Sequence, residues 1–259
     1  MTNSALDTLM SHRTIRRFTD DSIDRDTLRT ITRAGTRAPT GGNLQPYTLV
    51  VVDDRAVLAE WIPLQATVAV IALVDLYRMK RWFDLSDAPF HFDGPSGYLV
   101  SNWDALIALH NTVIAAESLG LGAVYVGGIV SEDMTDAIGA PEHTVPAGLV
   151  LLGHPDEDPP LRPRLPEEAV VHFGRYHVPS DDEVRTWYAD VDRAFAKRSE
   201  EARAALRKKG IHNRAQEITR GKYTEALHAE MSDGIRANLR RAGFTTFETG
   251  RGRAQEASS

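Results

Sequence analysis

The chain has 259 residues, 42% of them hydrophobic and 25% charged, with a formal net charge of -6; this is the composition of a folded chain with ample material for a core. The negative balance argues against a general nucleic-acid or anionic-membrane surface, so a basic site must be local, and the absence of cysteine excludes disulfides, thiolate metal sites and a cysteine nucleophile. Met1 to Asp7 lacks a basic region followed by an apolar run, and no stretch approaches the roughly 18 consecutive apolar residues of a membrane span, which makes a cytoplasmic location the expectation.

In chain order, the first feature is His12-Arg13-Thr14-Ile15-Arg16-Arg17-Phe18, which gathers fixed positive charge with hydroxyl and imidazole groups. Arginine stays protonated and presents a planar fork of donors, so Arg13 and Arg16 could grip a phosphate and the polar edge of a ring attached to it; such charge runs are also common as solvated faces. Ser22 and Asp24 precede apolar positions at helical spacing through Asp26 to Ala34, and Gly35 stops the predicted helix. Pro39-Thr40-Gly41-Gly42-Asn43 is turn chemistry ahead of a predicted strand, Tyr47 to Val52. The glycines beside Thr40, Asn43 and Gln45 make a loop where backbone could approach a ligand and amides could read a heterocycle edge.

Val68 to Val74 is an unbroken apolar run, predicting a strand covered on both faces. Gln65 at its entrance is placed to hydrogen-bond a ligand ring or to serve as a turn residue. Residues Arg78 to Gly97 show no clean period and read as an irregular insertion or lid. From Ser101 to Leu119 the chain is apolar around most of a helical circumference, which predicts a buried helix, at the centre of the domain or at a subunit interface. Gly120 and Gly122 end it. Ala123 to Gly128 reads as a short strand, Tyr125 within it, entering the Gly127-Gly128 pair, where backbone N–H groups could face a ligand. The G-x-G-x-x-G arrangement after a first strand is missing, which disfavours a dinucleotide-binding Rossmann unit.

Ser131 is expected to cap a short helix closed by Gly139, and Gly148 to Gly153 reads as another buried strand followed by the turn-rich His154 to Pro160. In Leu161-Arg162-Pro163-Arg164-Leu165-Pro166 the alternating prolines hold the backbone extended, so Arg162 and Arg164 point the same way as a second cation pair. Asp181 to Leu206 is charged, with Trp187, Tyr188, Val191, Ala194 and Phe195 at helical intervals. The basic loop Lys208 to Arg214, a last helix from Ser232 to Arg241 and a tail-like composition from Thr245 complete the chain. Histidines at 91, 110, 143, 154, 172 and 177 show no ligand spacing, so no metal site is expected.

Together, Arg13-Thr14-Ile15-Arg16, the Ala38 to Pro46 loop, the Ala116 to Gly128 run and Leu161 to Pro166 resemble the nitroreductase superfamily. Within it the likeness is to the branch of NADPH-dependent, oxygen-insensitive nitroreductases and related flavin reductases, over about residues 8 to 245. The resemblance implies an α+β fold, with a central mixed sheet flanked by helices, in an intertwined homodimer with two FMN molecules at the subunit interface. It further implies one FMN-binding domain over 1–259, with a helical excursion at about 180–245 and a flexible tail at 246–259. His12, Arg13, Thr14 and Arg16 match the family's phosphate and pyrimidine-edge contacts, threonine standing where serine is commoner. Gln65 matches the side chain over the isoalloxazine, and Tyr125, Gly127 and Gly128 match the backbone wall near the reactive ring. Arg162 and Arg164 match a Lys/Arg pair near the flavin, with arginine in the lysine position. Thr40, Asn43 and Gln45 match a loop contributed by the partner subunit. Lys209 and Arg214 match the site of the NADPH 2′-phosphate, lysine replacing an arginine.

The implied activity is an FMN-dependent NADPH oxidoreductase that reduces nitroaromatics, quinones or related acceptors by ping-pong hydride transfer through flavin N5. The cofactor carries the chemistry, so no catalytic side chain is expected, and Arg162, Arg16 and Arg13 would stabilise the anionic reduced flavin. Two alternatives stand beside this: a flavin reductase supplying reduced FMN to a partner monooxygenase, and a flavin-binding protein without turnover, against which the Lys209 to Arg214 loop speaks. No nucleic-acid or membrane partner is expected.

Overall fold

A computed structural model of the chain describes residues 4–62, 64–127 and 132–244. The chain divides into two compact units, Met1–Pro160 with Met231–Ser259, and Leu161–Glu230. The first opens with α1 (Ser4–Ser11) and α2 (Arg25–Gly35). Asp24 caps α2 by accepting hydrogen bonds from the N–H groups of Asp26 and Thr27, satisfying donors that a helix start leaves orphaned. There follow β1 (Tyr47–Val52), α3 (Arg55–Trp61), β2 (Val68–Asp75), α4 (Tyr77–Leu85), α5 (Pro95–Ser118), β3 (Gly122–Val126), α6 (Glu132–Ala137) and β4 (Thr144–Gly153).

The four strands form one sheet in the order β1-β2-β4-β3, and every pairing between them is antiparallel. The sheet is thus antiparallel where a mixed one is expected, and the parallel contact among the described residues is an isolated bridge outside it, Thr14 to Ala123. All of β2 is buried, as its unbroken apolar run predicts. Its alternate residues serve two cores: Val68, Val70 and Ala72 pack with α2 and α5, while Ala69, Ile71 and Leu73 pack with Leu58, Ile62, Met134, Ile15 and Phe18.

Helix α5 begins earlier than the sequence suggests, at Pro95 in the first turn, where a missing N–H costs nothing. One side of it is buried, with Ala105, Ala108, Leu109, Val113 and Ala116 inaccessible. The other side stays open: Leu99, Val100, Trp103, Leu106 and Ile107 are exposed, Trp103 by 53%. The all-round apolar character therefore marks a helix with a core face and an uncovered apolar face. The expected irregular insertion at 78–97 contains α4 instead, and behind it Phe83, Phe90 and Phe92 form an aromatic cluster.

The second unit holds α7 (Asp181–Ala196), α8 (Glu200–Lys208), α9 (Arg214–Glu217) and the start of α10 (Glu225–Arg241). A full capping box between Ser180 and Glu183 starts α7. The rest of α10, from Met231, and the turn from Ala242 to Phe244 belong to the first unit, where Leu239, Ala242 and Phe244 are buried with Val74, Leu76 and Val145.

Candidate active site

The segment after α1 is laid along the outer edge of β3. Ile15 N–H donates to the Ala123 carbonyl at 2.9 Å, Thr19 N–H to the His154 carbonyl at 2.9 Å, and Asp156 N–H to the Arg17 carbonyl at 2.9 Å. Ile15 and Phe18 anchor it, each 6% exposed, and their inward placement leaves Arg16 and Arg17 exposed. Two glycines permit this approach. A Cβ at Gly122 would lie 2.8 Å from Ile15 Cβ, and one at Gly153 would lie 2.8 Å from Phe18 Cδ1, so a larger residue at either point pushes the segment off the sheet.

The polar contacts of the segment are mostly to carboxylates. His12 Nδ1 lies 2.6 Å from Glu117 Oε1, in the last turn of α5, while Glu117 Oε2 is buried without a hydrogen-bond partner. Arg13 pairs with Asp158 and donates to the Pro159 carbonyl at 3.2 Å. Glu157 accepts the backbone N–H groups of Arg16 and Arg17, at 2.5 and 3.1 Å. These bonds, that from Arg16 first, hold the Glu157 carboxyl below its ordinary range. The Arg16 guanidinium itself has no hydrogen bond or ion pair among the described residues. A cavity of about 440 Å³ lies beside this group, lined by Ser11, His12, Arg13, Glu117, Gly120 and Asp158 among others.

Further along β3, Tyr125 is half-exposed, its hydroxyl 3.1 Å from His110 Nδ1. Burial and then the Glu117 charge push its phenol up to about 12, so it remains protonated at neutral pH. At Gly127, which follows, nothing among the described residues lies within 4 Å of where a Cβ would stand; Gly128, like Ser131, lies outside the described residues. Gln65 reaches the far end of the basic segment, donating from Nε2 to Asp20 Oδ1 at 2.8 Å, a carboxylate that Arg55 also contacts.

Thr40, Asn43 and Gln45 come together at β1, the opposite edge of the sheet. Gln45 Nε2 donates to the Asn43 carbonyl at 3.0 Å, and Gln45 N–H to Thr40 Oγ1 at 3.4 Å. Asn43 and Gln45 take φ of 56° and 50°, conformations that side-chain-bearing residues adopt rarely and that need support from their surroundings. Support comes from Asp104 Oδ2, accepting Gly41 N–H at 3.1 Å, and from Arg78, donating to the carbonyls of Gln45 and Tyr47. Burial raises the Asp104 carboxyl above its usual range. The structure thus unites His12, Arg13, Thr14, Arg16, Tyr125 and Gly127 at one edge, ties Gln65 to the same segment, and sets Thr40, Asn43 and Gln45 apart.

In the second unit, Arg162 and Arg164 are exposed on an extended stretch and have no partner among the described residues. Lys209 is exposed where α8 ends, and Arg214, the first residue of α9, pairs with Glu217. Sequence alone does not single out Glu117, Glu157, Asp158, Arg78, Asp104 or Arg198. The acidic run at 156–158 behind a basic segment is the one available signal. Among the described residues no acidic or histidine cluster could hold a metal, and no helix is long and apolar enough to cross a membrane.

A profile described as the nitroreductase family matches residues 9–154. The chain belongs to the nitroreductase family. This member is 31% identical over 192 residues to the FMN reductase (NADPH) of Bacillus subtilis (strain 168), covering 70% of this chain and 77% of the relative. It is 32% identical over 193 residues to the oxygen-insensitive NADPH nitroreductase of Salmonella typhimurium, covering 71% and 78%. Among solved structures, NfrA2 of B. megaterium superposes with a TM-score of 0.77 at 30% identity, covering 94% of this nitroreductase-family chain and 98% of its own.

Proposed function

We propose that this protein is an NADPH-dependent FMN oxidoreductase whose flavin site is assembled from two copies of the chain. The observation that carries the two-copy arrangement is the placement of the matched residues: those at 12–16 and 125–127 lie along β3, those at 40–45 at β1, with β2 and β4 between them. Three inter-strand spacings of about 4.8 Å put roughly 14 Å of filled sheet between the two groups. One chain cannot close both around a single flavin. A second copy supplies the missing half, and the open apolar face of α5 is where it docks.

The residues present suit FMN. Arg16 has a guanidinium free for a ligand, and Arg13 is held by Asp158, whose side chain is 88% exposed, a surface pair that a phosphate can replace at little cost. The family likeness proposes Arg162 and Arg164, which have no partner among the described residues, as cations for the FMN. The free backbone approach at Gly127 suits a flat ring. When bound, FMN would supply the redox chemistry, a ping-pong exchange of two electrons between NADPH and an oxidised acceptor. The chain orients the ring, supplies positive charge where negative charge grows, and provides no general acid. Lys209 and Arg214 hold the 2′-phosphate of NADPH. Names of the relatives support both halves of this reading, an FMN reductase that uses NADPH and an NADPH nitroreductase.

The test is direct. The purified protein should be yellow and carry about one FMN per chain; colourless protein that gains no flavin absorbance on titration would end the reading. Nitroaromatics and quinones are the proposed acceptors. The second reading is a flavin reductase that releases reduced FMN to a partner monooxygenase; the Bacillus relative's name supports the FMN-reductase half of it, and comparing NADPH oxidation with a nitroaromatic, a quinone and free FMN separates the two. NADPH should have a KM about tenfold below that of NADH, a gap that narrows with salt; equal values would reduce the Lys209 to Arg214 loop to a solvated turn.

A further inference from the structure

The second unit contains a shared carboxylate that a simple phosphate-binding loop does not require. Arg198, in the turn between α7 and α8, lies with its guanidinium 5.0 Å from the centre of the Phe195 ring. It makes a two-pronged contact to Glu217, with Nη1 to Oε1 at 2.5 Å and Nη2 to Oε2 at 3.1 Å. The same Oε2 takes Nη1 of Arg214. Glu217 is only 17% exposed, so this single carboxylate is shared between two guanidiniums away from most of the solvent.

The surrounding loop is pinned on itself. Asn213 Oδ1 accepts the Gln216 N–H at 2.9 Å, Gln216 Oε1 accepts the His212 N–H at 2.7 Å, and Arg220 donates to the Gly210 carbonyl at 2.7 Å. After α9 the chain widens into a π-helical turn, Ile218–Lys222. Arg214 therefore starts from a fixed place, and the charges beside it decide what it can bind. Arg214 with Glu217 alone is a neutral pair whose carboxylate repels an incoming phosphate. With Arg198 added the trio carries a net positive charge, and the two-pronged contact ties up Glu217.

We propose that Arg198 is a positioning residue that sets the preference for a 2′-phosphorylated nicotinamide nucleotide by neutralising Glu217, which leaves the charge of Arg214 free for the phosphate. The inference rests on the proposed role of Arg214 at that phosphate. Arg198 acts through Glu217 and need not touch the nucleotide. Glu217 in turn holds the Arg214 side chain in place between nucleotides, so the loop keeps its geometry without spending its attraction.

The experiment compares the FMN-loaded protein with Arg198→Ala, Arg214→Ala, Glu217→Gln and the double variant Arg198→Ala/Glu217→Gln. KM is measured for NADPH and NADH, and binding of adenosine 2′,5′-bisphosphate and of 5′-AMP is measured by calorimetry. Arg198→Ala should raise the KM for NADPH and weaken the bisphosphate by roughly fivefold, the size of a good partly exposed ion pair, with NADH and 5′-AMP unchanged. The double variant should return to within about twofold of Glu217→Gln, because the carboxylate that needed neutralising is gone. If Arg214→Ala weakens the bisphosphate while Arg198→Ala does not, the inference falls and the nucleotide reading of the loop stands. If Arg214→Ala has no effect, the reading falls and the inference with it. Loss of NADH use or 5′-AMP binding in Arg198→Ala, unrepaired in the double variant, would make Arg198 merely structural. Should Arg198→Ala fail to fold, Arg198→Gln, which keeps hydrogen bonds to Glu217 but not the charge, carries the same expectation.

Discussion

Arg16 is held by its backbone and not by its side chain, because Glu157 takes its N–H. That division of labour separates folding from ligand binding at one residue. Arg16→Ala should cost about 1.5 to 3 kcal/mol of FMN affinity, the worth of a charge-assisted hydrogen bond, in a fluorescence titration of flavin-free protein. The melting temperature of the flavin-free protein should hardly move, since an exposed guanidinium is lost and no contact with it. Glu157 should behave in the opposite way. Its folded-state carboxyl is held below its ordinary value of 4.5, so it contributes stability that is full above that value and is lost as pH falls through the lower folded value. The gap in melting temperature between the natural protein and Glu157→Gln should therefore be widest near neutrality and close on acidification below pH ~4.5. A gap that persists unchanged into strong acid would show that the N–H contacts do not depend on the charge.

Among elements, β3 and the segment laid on it are the most exacting. Gly122→Val should destabilise the protein by about 1 to 3 kcal/mol, the usual cost of overpacking, and should weaken FMN binding as the displaced Ile15 carries Arg16 with it. Denaturant unfolding with a flavin titration on the same sample checks both; unaltered affinity would mean that the segment can shift without losing its ligand contacts. How much of this the sequence shows varies by element. The apolar run of β2 and the cap at Asp24 are legible because each depends on neighbours in the chain. Helix α4 is not, since Met79 and Phe83 pack inward while the equally apolar Trp82 and Leu85 are exposed, which blurs the period. The start of β4 hides behind Pro146, which the strand tolerates because β3 pairs with it only from Leu149 onward. At the site, consecutive motifs such as Arg13 to Arg16 stand out. Their partners Glu117, Glu157 and Asp158 do not, because contacts made across more than a hundred positions have no period.

For the whole molecule, the uncovered side of α5 is the surface on which the proposed dimer rests. Leu99, Val100, Trp103, Leu106 and Ile107 on this helix, with Leu6, Leu9 and Met10 of α1, which packs against it, leave a large apolar area exposed in a single chain. Changing Leu106 and Ile107 together to Glu should split the proposed dimer and release flavin at the same protein concentration, in sedimentation runs followed at the flavin absorbance. A double variant that stays dimeric and yellow would place the interface elsewhere. Loss of flavin without loss of the dimer would argue that the site does not span two chains.

The four-strand width that keeps residues 12–16 away from residues 40–45 has a genetic consequence. In the proposed dimer each chain contributes one half to each of two sites, so a single gene should behave as two complementing units. Chains carrying Arg13→Ala/Arg16→Ala and chains carrying Asn43→Gly/Gln45→Gly should each be inactive, glycine being chosen because both positions have positive φ. In a mixed dimer one site combines the two undamaged halves and the other combines the two damaged ones. Unfolding and refolding the two inactive proteins together should thus restore about a quarter of full activity, since about half of the dimers are mixed and each carries one working site.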